Sequence, residues 1–175
     1  MCNKTSRYII ASNIILSFAS IASASDGYIN FTGEIIDQTC TIDSTSQNLI
    51  VPLGSVSKSS LDGAAGKKSS PTGFQLNLTL CPPTVAGATV KFDGTNDSDN
   101  ADLLKLTQEA GVATGVGIEI ADNIGTPIPL HSESMEYPLS TGSNSLNFVA
   151  RYVSTLNTVT TGPANGVTQF TLNYK

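Results

Sequence analysis

The C-terminal stretch GPANGVTQFTLNYK, residues 162–175, decides the fold class of this 175-residue chain. Gly-Pro and Asn-Gly steps, which are typical of turns, precede an alternating run in which Phe170, Leu172 and Tyr174 share one face. This pattern predicts a strand that continues almost to the terminal Lys175, although chain ends commonly fray. A terminal strand of this kind lies inside a sheet or offers its edge to another chain.

The same alternation of apolar and polar residues recurs upstream in short runs separated by turn-rich segments. At least seven strands are predicted, near Ile29–Ile35, Leu49–Leu53, Phe74–Leu80, Val90–Phe92, Val116–Ile120, Leu146–Tyr152 and Phe170–Tyr174. Helical periodicity is nearly absent, and the only helical turn that we predict lies near Ala101–Leu106. The strands therefore predict an all-β sandwich of antiparallel sheets in a single domain.

The composition argues against several classes of function. Nine Lys and Arg residues face 14 Asp and Glu residues, so the net charge is −5 and no basic surface for a phosphate backbone is expected. The chain has one His, no Trp and three Cys, which leaves few groups for acid–base, nucleophilic or metal chemistry. We therefore expect neither nucleic-acid binding, nor catalysis, nor a cofactor.

Residues 1–24 are typical of a secretory signal peptide. Two basic residues precede an apolar stretch at residues 8–21, and small residues at Ala22 and Ala24 occupy the positions that a signal peptidase reads. The apolar stretch is shorter than the about 20 residues that a membrane span requires. Cleavage after Ala24 is predicted, with Ala22 or Ser25 as alternative ends of the signal, and the exported chain would then carry no membrane span.

Signal removal also changes the charge and the cysteine count. The mature chain keeps seven basic and fourteen acidic residues, a net charge of −7, and it loses Cys2. Cys40 and Cys81 remain, and in an oxidising compartment two cysteines imply one disulfide. Loop entropy gives such a cross-link about 4 kcal/mol. The alternatives are two free thiols or a metal pair, but neither a CxxC spacing nor a nearby His supports a metal site.

Taken together, motifs along the whole mature chain resemble the pilin subunits of chaperone-usher fimbriae, and above all the type 1 fimbrial subunit group. No single motif is specific, but their combination is. The matching motifs are Gly33–Asp37 before Cys40-Thr41-Ile42, Val51–Val56, Phe74–Leu78 before Cys81, Val90–Gly94, Gly115–Ile120, Phe148–Tyr152 and the stretch that begins at Gly162.

The resemblance implies an incomplete immunoglobulin-like sandwich that lacks its last strand, so that an apolar groove runs along the final strand. It divides the chain into a signal peptide (1–24), a donor-strand extension (25–36) and a pilin domain (37–175). It further implies that a periplasmic chaperone lends a strand to the groove and that the outer-membrane usher exchanges this strand for the next subunit's extension. The product would be a cell-surface fimbrium, a homo- or hetero-polymer that supports adhesion.

By the same resemblance, individual residues acquire roles. The donor strand would present Ile29, Phe31, Gly33 and Ile35 on one face, and the acceptor groove would be bordered by Gly162, Phe170, Leu172 and Tyr174. The carboxylate of Lys175 would be held by basic chaperone residues. Periodicity alone explains the donor residues equally well as an ordinary strand of their own domain. The short extension leaves a minor, adaptor or terminating subunit open.

Other readings of the sequence remain. A self-contained secreted carbohydrate-binding sandwich would need aromatic residues in its loops, and Tyr137 is the main candidate. A two-domain tip adhesin would need a chain about twice as long. The acidic segment that contains Asp93, Asp97, Asp99 and Asp102 does not match a calcium-binding EF-hand, so we interpret it as a solvated loop. His131 lacks a nucleophile motif and is interpreted as a surface residue.

Overall fold

The computed structural model describes residues 27–33 and 39–175, which belong to two separate units. In the first unit, residues 27–33 form neither helix nor strand, and the side chains of Tyr28, Ile29 and Phe31 are exposed. The predicted strand at Ile29–Ile35 is therefore not formed over its described part, residues 29–33. The predicted signal peptide and Ile35 lie outside the described residues.

The second unit contains seven strands among its described residues, and all of their pairings are antiparallel. The strands are β1 (Thr41–Ile42), β2 (Thr72–Cys81), β3 (Gly87–Asp93), β4 (Val116–Asp122), β5 (Tyr137–Pro138), β6 (Gly142–Ser154) and β7 (Gln169–Tyr174). Two single-turn helices complete the set, α1 (Ser44–Gln47) and α2 (Lys58–Leu61). No helix in the described part of the chain is long and apolar enough to cross a membrane.

The strands form two sheets. The larger sheet has the order β1-β2-β6-β4, and the smaller one has the order β5-β3-β7. In the smaller sheet Phe170 lies opposite Phe92, and Leu172 lies opposite Val90. The terminal alternation thus forms a strand as predicted. It also places β7 at a sheet edge, where only one side is paired within residues 39–175.

Between the sheets, an aromatic cluster forms the centre of the core. The ring of Phe148 on β6 lies 5.5 Å from Phe74 on β2 and 5.3 Å from Phe92 on β3. Tyr137 on β5 adds a fourth ring, 5.4 Å from Phe148. Stacked and edge-to-face pairs of this kind stabilise a core beyond the area that they bury. The cluster connects four strands of the sandwich to one another.

The predicted disulfide is confirmed. Cys40 and Cys81 are bonded across 41 positions of sequence, and both are buried. The bond joins the residue before β1 to the end of β2, which fixes the start of the domain to the larger sheet.

Two predicted elements are absent. Residues 49–53 are extended but form no strand, because residues 49–56 exchange no backbone hydrogen bond with any described residue. Residues 101–106 form no helix. Instead, Leu104 forms a β-bridge with Ile118, with N–H···O distances of 2.9 Å in both directions, and this tertiary pairing overrides the weak helical tendency.

Candidate functional site, an apolar groove along the last strand

A long groove opens into the core of the sandwich between two stretches of irregular backbone. Its volume is about 960 Å³. One side is the 48–54 lip, and the other is the 164–170 lip, which leads into β7. The floor consists of apolar side chains from both sheets and the adjoining segments, namely Phe74, Leu76, Phe92, Leu104, Ile118, Ile120, Ala150 and Tyr152.

Side-chain packing holds the 48–54 lip at Leu53, which is half-buried against the core. Val51 is also half-buried, whereas Ile50 is 87% exposed. The alternation that predicted a strand here is therefore real, but residues 49–54 make no backbone hydrogen bond to a neighbouring strand among the described residues. A strand-like segment in this state can pair with an additional strand.

Hydrogen bonds from Thr107 and Tyr152 anchor the first residues of the 164–170 lip. The N–H of Thr107 donates to the carbonyl of Asn165 at 2.7 Å, and the hydroxyl of Tyr152 donates to the carbonyl of Ala164 at 2.8 Å. Burial raises the pKa of the Tyr152 hydroxyl, which keeps this donor protonated. These two hydrogen bonds position the start of the lip, and the side of the lip that faces the groove stays open.

The free edge of β7 borders this opening. In an antiparallel pair, half of a strand's backbone groups point away from the partner, so the edge opposite β3 carries a row of unused donors and acceptors. Half-buried Phe170 lines the groove beside that edge. None of the described residues that line the groove is charged. The site can therefore bind an extended chain that supplies both backbone pairing and apolar side chains.

The other residues predicted for the groove lie along β7 and before it. Leu172 and Tyr174 are half-buried and pack against the core. Lys175 continues the ladder past the strand end, because its N–H donates to Gly87 at 2.8 Å and its carbonyl accepts from Ala86 at 3.0 Å. The structure thus places only Phe170, among the predicted groove residues, in the main opening.

Gly162 lies one step further from the groove. It lines a smaller cavity of about 380 Å³ that shares Gly54, Ala164 and Asn165 with the main groove. A Cβ atom at Gly162 would come within 2.0 Å of the carbonyl oxygen of Gly111, so only glycine fits there. Gly162 therefore has a structural role, two residues before the start of the 164–170 lip.

Sequence reasoning missed the opposite lip and much of the floor. Residues 49–53 were predicted as a strand, and Leu104 was placed in a helical turn. Their alternating apolar residues were visible, but alternation does not show whether a strand has a partner. Only the three-dimensional structure shows that the 48–54 lip and the 164–170 lip are not paired with each other.

Tyr137 and His131 occupy different settings from each other. Tyr137 belongs to β5 and packs on Phe148, so it is not the exposed loop aromatic that a sugar-binding module would use. His131 is exposed, and its Nδ1 lies 2.8 Å from Asp93 Oδ1 while its Nε2 lies 3.0 Å from Asn96 Oδ1. Hydrogen bonds from His131 and Lys91 hold the pKa of Asp93 below its usual range.

The acidic segment binds its own backbone. Asp97 Oδ1 accepts from the N–H groups of Asp99 and Asn100 at 3.0 and 3.2 Å. No set of three or more His, Cys, Asp or Glu side chains within residues 27–33 and 39–175 is arranged to hold a metal ion.

Comparison with known proteins identifies the family of this groove-bearing sandwich. Residues 29–175 match the family described as Fimbrial protein. The chain belongs to the fimbrial protein family. It is 44% identical over 155 residues to the probable major fimbrial subunit LpfA of Escherichia coli O157:H7, covering 88% of this chain and 86% of LpfA.

A second relative and a solved structure agree. The pilin is 40% identical to long polar fimbria protein A of Salmonella typhimurium, over 93% of this chain and 91% of the relative. The crystal structure of the P pilus rod subunit PapA superposes with a TM-score of 0.66 at 25% identity, over 78% of this chain and 99% of PapA. The chain is thus a structural subunit of a chaperone-usher pilus, and its fold is the incomplete immunoglobulin-like pilin sandwich.

Proposed function

We propose that this pilin polymerises by donor-strand exchange, in which the groove of one copy receives residues 29–35 of the next. The observation that carries this proposal is the open apolar groove beside the free edge of β7. A missing strand leaves both a row of unused backbone groups and an uncovered apolar floor. One extended segment from another chain satisfies both needs at once.

The N-terminal extension has the composition of such a segment. Ile29, Phe31, Gly33 and Ile35 alternate, so they share one face of an extended strand. Ile29 and Phe31 are 80% and 91% exposed, which is costly for large apolar side chains unless another surface covers them. Each copy therefore carries a donor segment and an acceptor groove, which is the requirement for a linear polymer.

The maturation route follows from the same incompleteness. A domain with an open core needs a temporary occupant before it meets its neighbour. We assign this role to a periplasmic chaperone that lends a strand and binds the Lys175 carboxylate, and the exchange itself to an outer-membrane usher. The division of the chain into a signal peptide (1–24), an extension (25–36) and a pilin domain (37–175) belongs to this proposal, as do export through the periplasm and a role in cell adhesion.

The extension provides a matched pair of variants for a test in cells. In the described structure, a Cβ atom added at Gly33 or at Gly27 meets no atom within 4 Å. A leucine at either position is therefore compatible with the chain's own fold, so any difference in assembly arises between chains. Only Gly33 lies within the proposed donor residues 29–35, whereas Gly27 precedes them.

The test compares fimbriae on cells that produce Gly33→Leu or Gly27→Leu. We expect Gly33→Leu to abolish fibres while the subunit still accumulates in the periplasm, because the bulky side chain cannot enter a groove that receives glycine. Gly27→Leu should assemble normally. Normal fibres from Gly33→Leu would contradict the donor role of this segment.

A further inference from the structure

The 164–170 lip contains the only Asn-Gly step of the chain, Asn165-Gly166. Both residues are exposed, both line the groove, and neither belongs to a helix or strand. The N–H of Gly166 donates no hydrogen bond within the described part of the chain. Glycine has no Cβ atom that would block the approach of its backbone nitrogen to the preceding side chain. Because the Gly166 N–H also has no acceptor among the described residues, no hydrogen bond has to break first.

We propose that Asn165-Gly166 is a site of spontaneous deamidation that alters the wall of the groove. The backbone nitrogen of Gly166 attacks Cγ of Asn165, a C–N bond forms, and the side-chain amide leaves as ammonia, while the proton of the Gly166 amide balances the leaving group. Water then opens the resulting five-membered succinimide ring at either carbonyl. The products are aspartate and isoaspartate, and no oxidant or enzyme is required. Holding nucleophile and electrophile in adjacent residues favours the first step.

Three other asparagines in the described part of the chain lack the combination of a glycine neighbour and an irregular backbone. Asn144 lies in β6, where its side-chain amide both donates to and accepts from the backbone of Ser140, at 2.7 and 2.8 Å. Asn173 lies in β7, where backbone pairing with β3 fixes it. Asn157 is followed by a β-branched residue, Thr158, whose side chain crowds the attacking nitrogen. Asn165 combines a glycine neighbour with an irregular backbone.

The product would change the lip in two ways. In the unmodified chain Nδ2 of Asn165 donates to Oε1 of Glu109 at 3.0 Å, and a carboxylate at position 165 turns this hydrogen bond into a repulsion between like charges. Isoaspartate also adds one methylene to the backbone beside Gly166. That glycine already packs closely, since a Cβ atom there would come within 2.7 Å of Cδ1 of Ile118 on the groove floor.

Together these changes destabilise the 164–170 lip and lower the affinity of the groove for the donor strand. The occurrence of the reaction does not depend on what fills the groove, but this consequence rests on the proposed donor-strand function. The fraction of deamidated subunits would thus rise with the age of a fimbrium. Older fimbriae would dissociate more readily, because deamidated subunits bind the donor strand of their neighbour less tightly.

The first test follows the chemistry in purified fimbriae incubated in mildly alkaline buffer made with heavy-oxygen water. Trypsin cleaves after Arg151 and yields one peptide, residues 152–175, that contains Asn157, Asn165 and Asn173 and so carries its own controls. We expect the mass shift of amide-to-heavy-carboxyl exchange to appear at Asn165, in both aspartate and isoaspartate forms, and to be absent from Asn165→Gln. No shift at Asn165, or equal shifts at all three asparagines, would overturn the proposal.

The second test measures the consequence. We expect Asn165→Asp fimbriae to dissociate into subunits at a temperature a few degrees below those of Asn165→Gln and the unmodified chain. Equal dissociation temperatures, in a chain that passes the Gly33→Leu test of donor-strand exchange, would refute the loosened lip and leave the polymerisation mechanism intact. If Gly33→Leu instead gave normal fibres, the donor role of residues 29–35 would be refuted, and the lip would have no such strand to hold.

Discussion

The hydroxyl of Tyr174, one residue from the C-terminus, donates a 3.3 Å hydrogen bond to the carbonyl of Cys40. Cys40 is bonded to Cys81 at the end of β2, so the last strand of the smaller sheet is tied to the disulfide that fixes the first part of the larger sheet. The contact joins the two ends of the pilin domain. It holds β7 in place at a sheet edge where a conventional sandwich would provide a further strand.

Replacement of Tyr174 with phenylalanine tests this anchor. Burial raises the pKa of Tyr174, so the hydroxyl remains a donor at neutral pH. We expect Tyr174→Phe to lower the free energy of unfolding of the mature chain by about 1 kcal/mol, because the Cys40 carbonyl loses its partner. Urea unfolding against the unmodified chain measures the difference, and unchanged stability would show that β7 is held by its ladder alone.

The sequence predicted the strands that bury one face, but it did not predict which segments pair. Local alternation correctly predicted β2, β3, β4, β6 and β7, because each of these strands buries one face and its pattern records that face. Alternation was misleading at residues 49–53, which have the pattern but no backbone hydrogen bond to another described residue. Pairing is a property of two segments, and one segment's pattern does not contain it.

The same limit applies to the groove. Phe170 was predicted at the groove because it belongs to the terminal strand, and the structure places it there. The contributions of Leu104 and Ile118 depend on a long-range bridge between a loop and β4, which no local pattern encodes. The disulfide was predictable from the cysteine count alone, since only one pairing remained once the signal peptide was set aside.

A buried hydroxyl without a partner provides a second prediction. The Tyr137 hydroxyl makes no hydrogen bond to any residue that the structure describes, although its ring packs against Phe148. An unsatisfied buried polar group typically costs about 1–3 kcal/mol, so Tyr137→Phe should stabilise the mature chain by about 1 kcal/mol. Thermal unfolding checks this, and a loss of stability would mean that the hydroxyl has a bonded partner in solution.

The same residue predicts a pH dependence. Burial, with a smaller contribution from the charge of Asp122, raises the pKa of Tyr137 to about 12 from the model-compound value of 10.0. Between these values the unfolded chain releases the proton and the folded chain keeps it, so stability falls as the pH rises through this window. The Tyr137→Phe variant should lack this part of the alkaline loss. An identical alkaline decline in both proteins would contradict the assignment.

A buried ion pair network provides a third prediction. Glu119 on β4 has a side chain only 8% exposed, and it accepts from Lys68 Nζ at 2.7 Å and from Arg151 Nε at 2.7 Å. Removing one member of a buried network leaves the others without compensation. We expect Glu119→Gln to cost about 3 kcal/mol of unfolding free energy, because the guanidinium of Arg151, which is 16% exposed, loses its counter-charge.

The exposed pair of Lys91 and Asp93 serves as the control for that experiment. Its side chains are 35% and 30% exposed and lie 3.1 Å apart. Lys91→Ala should cost no more than about 1 kcal/mol, because solvent screens the pair. Urea unfolding of both variants under the same conditions compares the two sites. Equal costs at the two sites would show that burial does not strengthen the Glu119 network.

The sandwich lacks one strand, and we propose that the extension of another copy supplies it. The most direct measurement is the melting temperature of the mature chain, purified alone from an oxidising compartment, with and without a synthetic peptide of residues 29–35. We predict that the chain alone aggregates or melts at low temperature, that the peptide raises its melting temperature, and that the same peptide carrying Gly33→Leu does not. A well-folded monomer that melts at one temperature with or without the peptide would contradict the account.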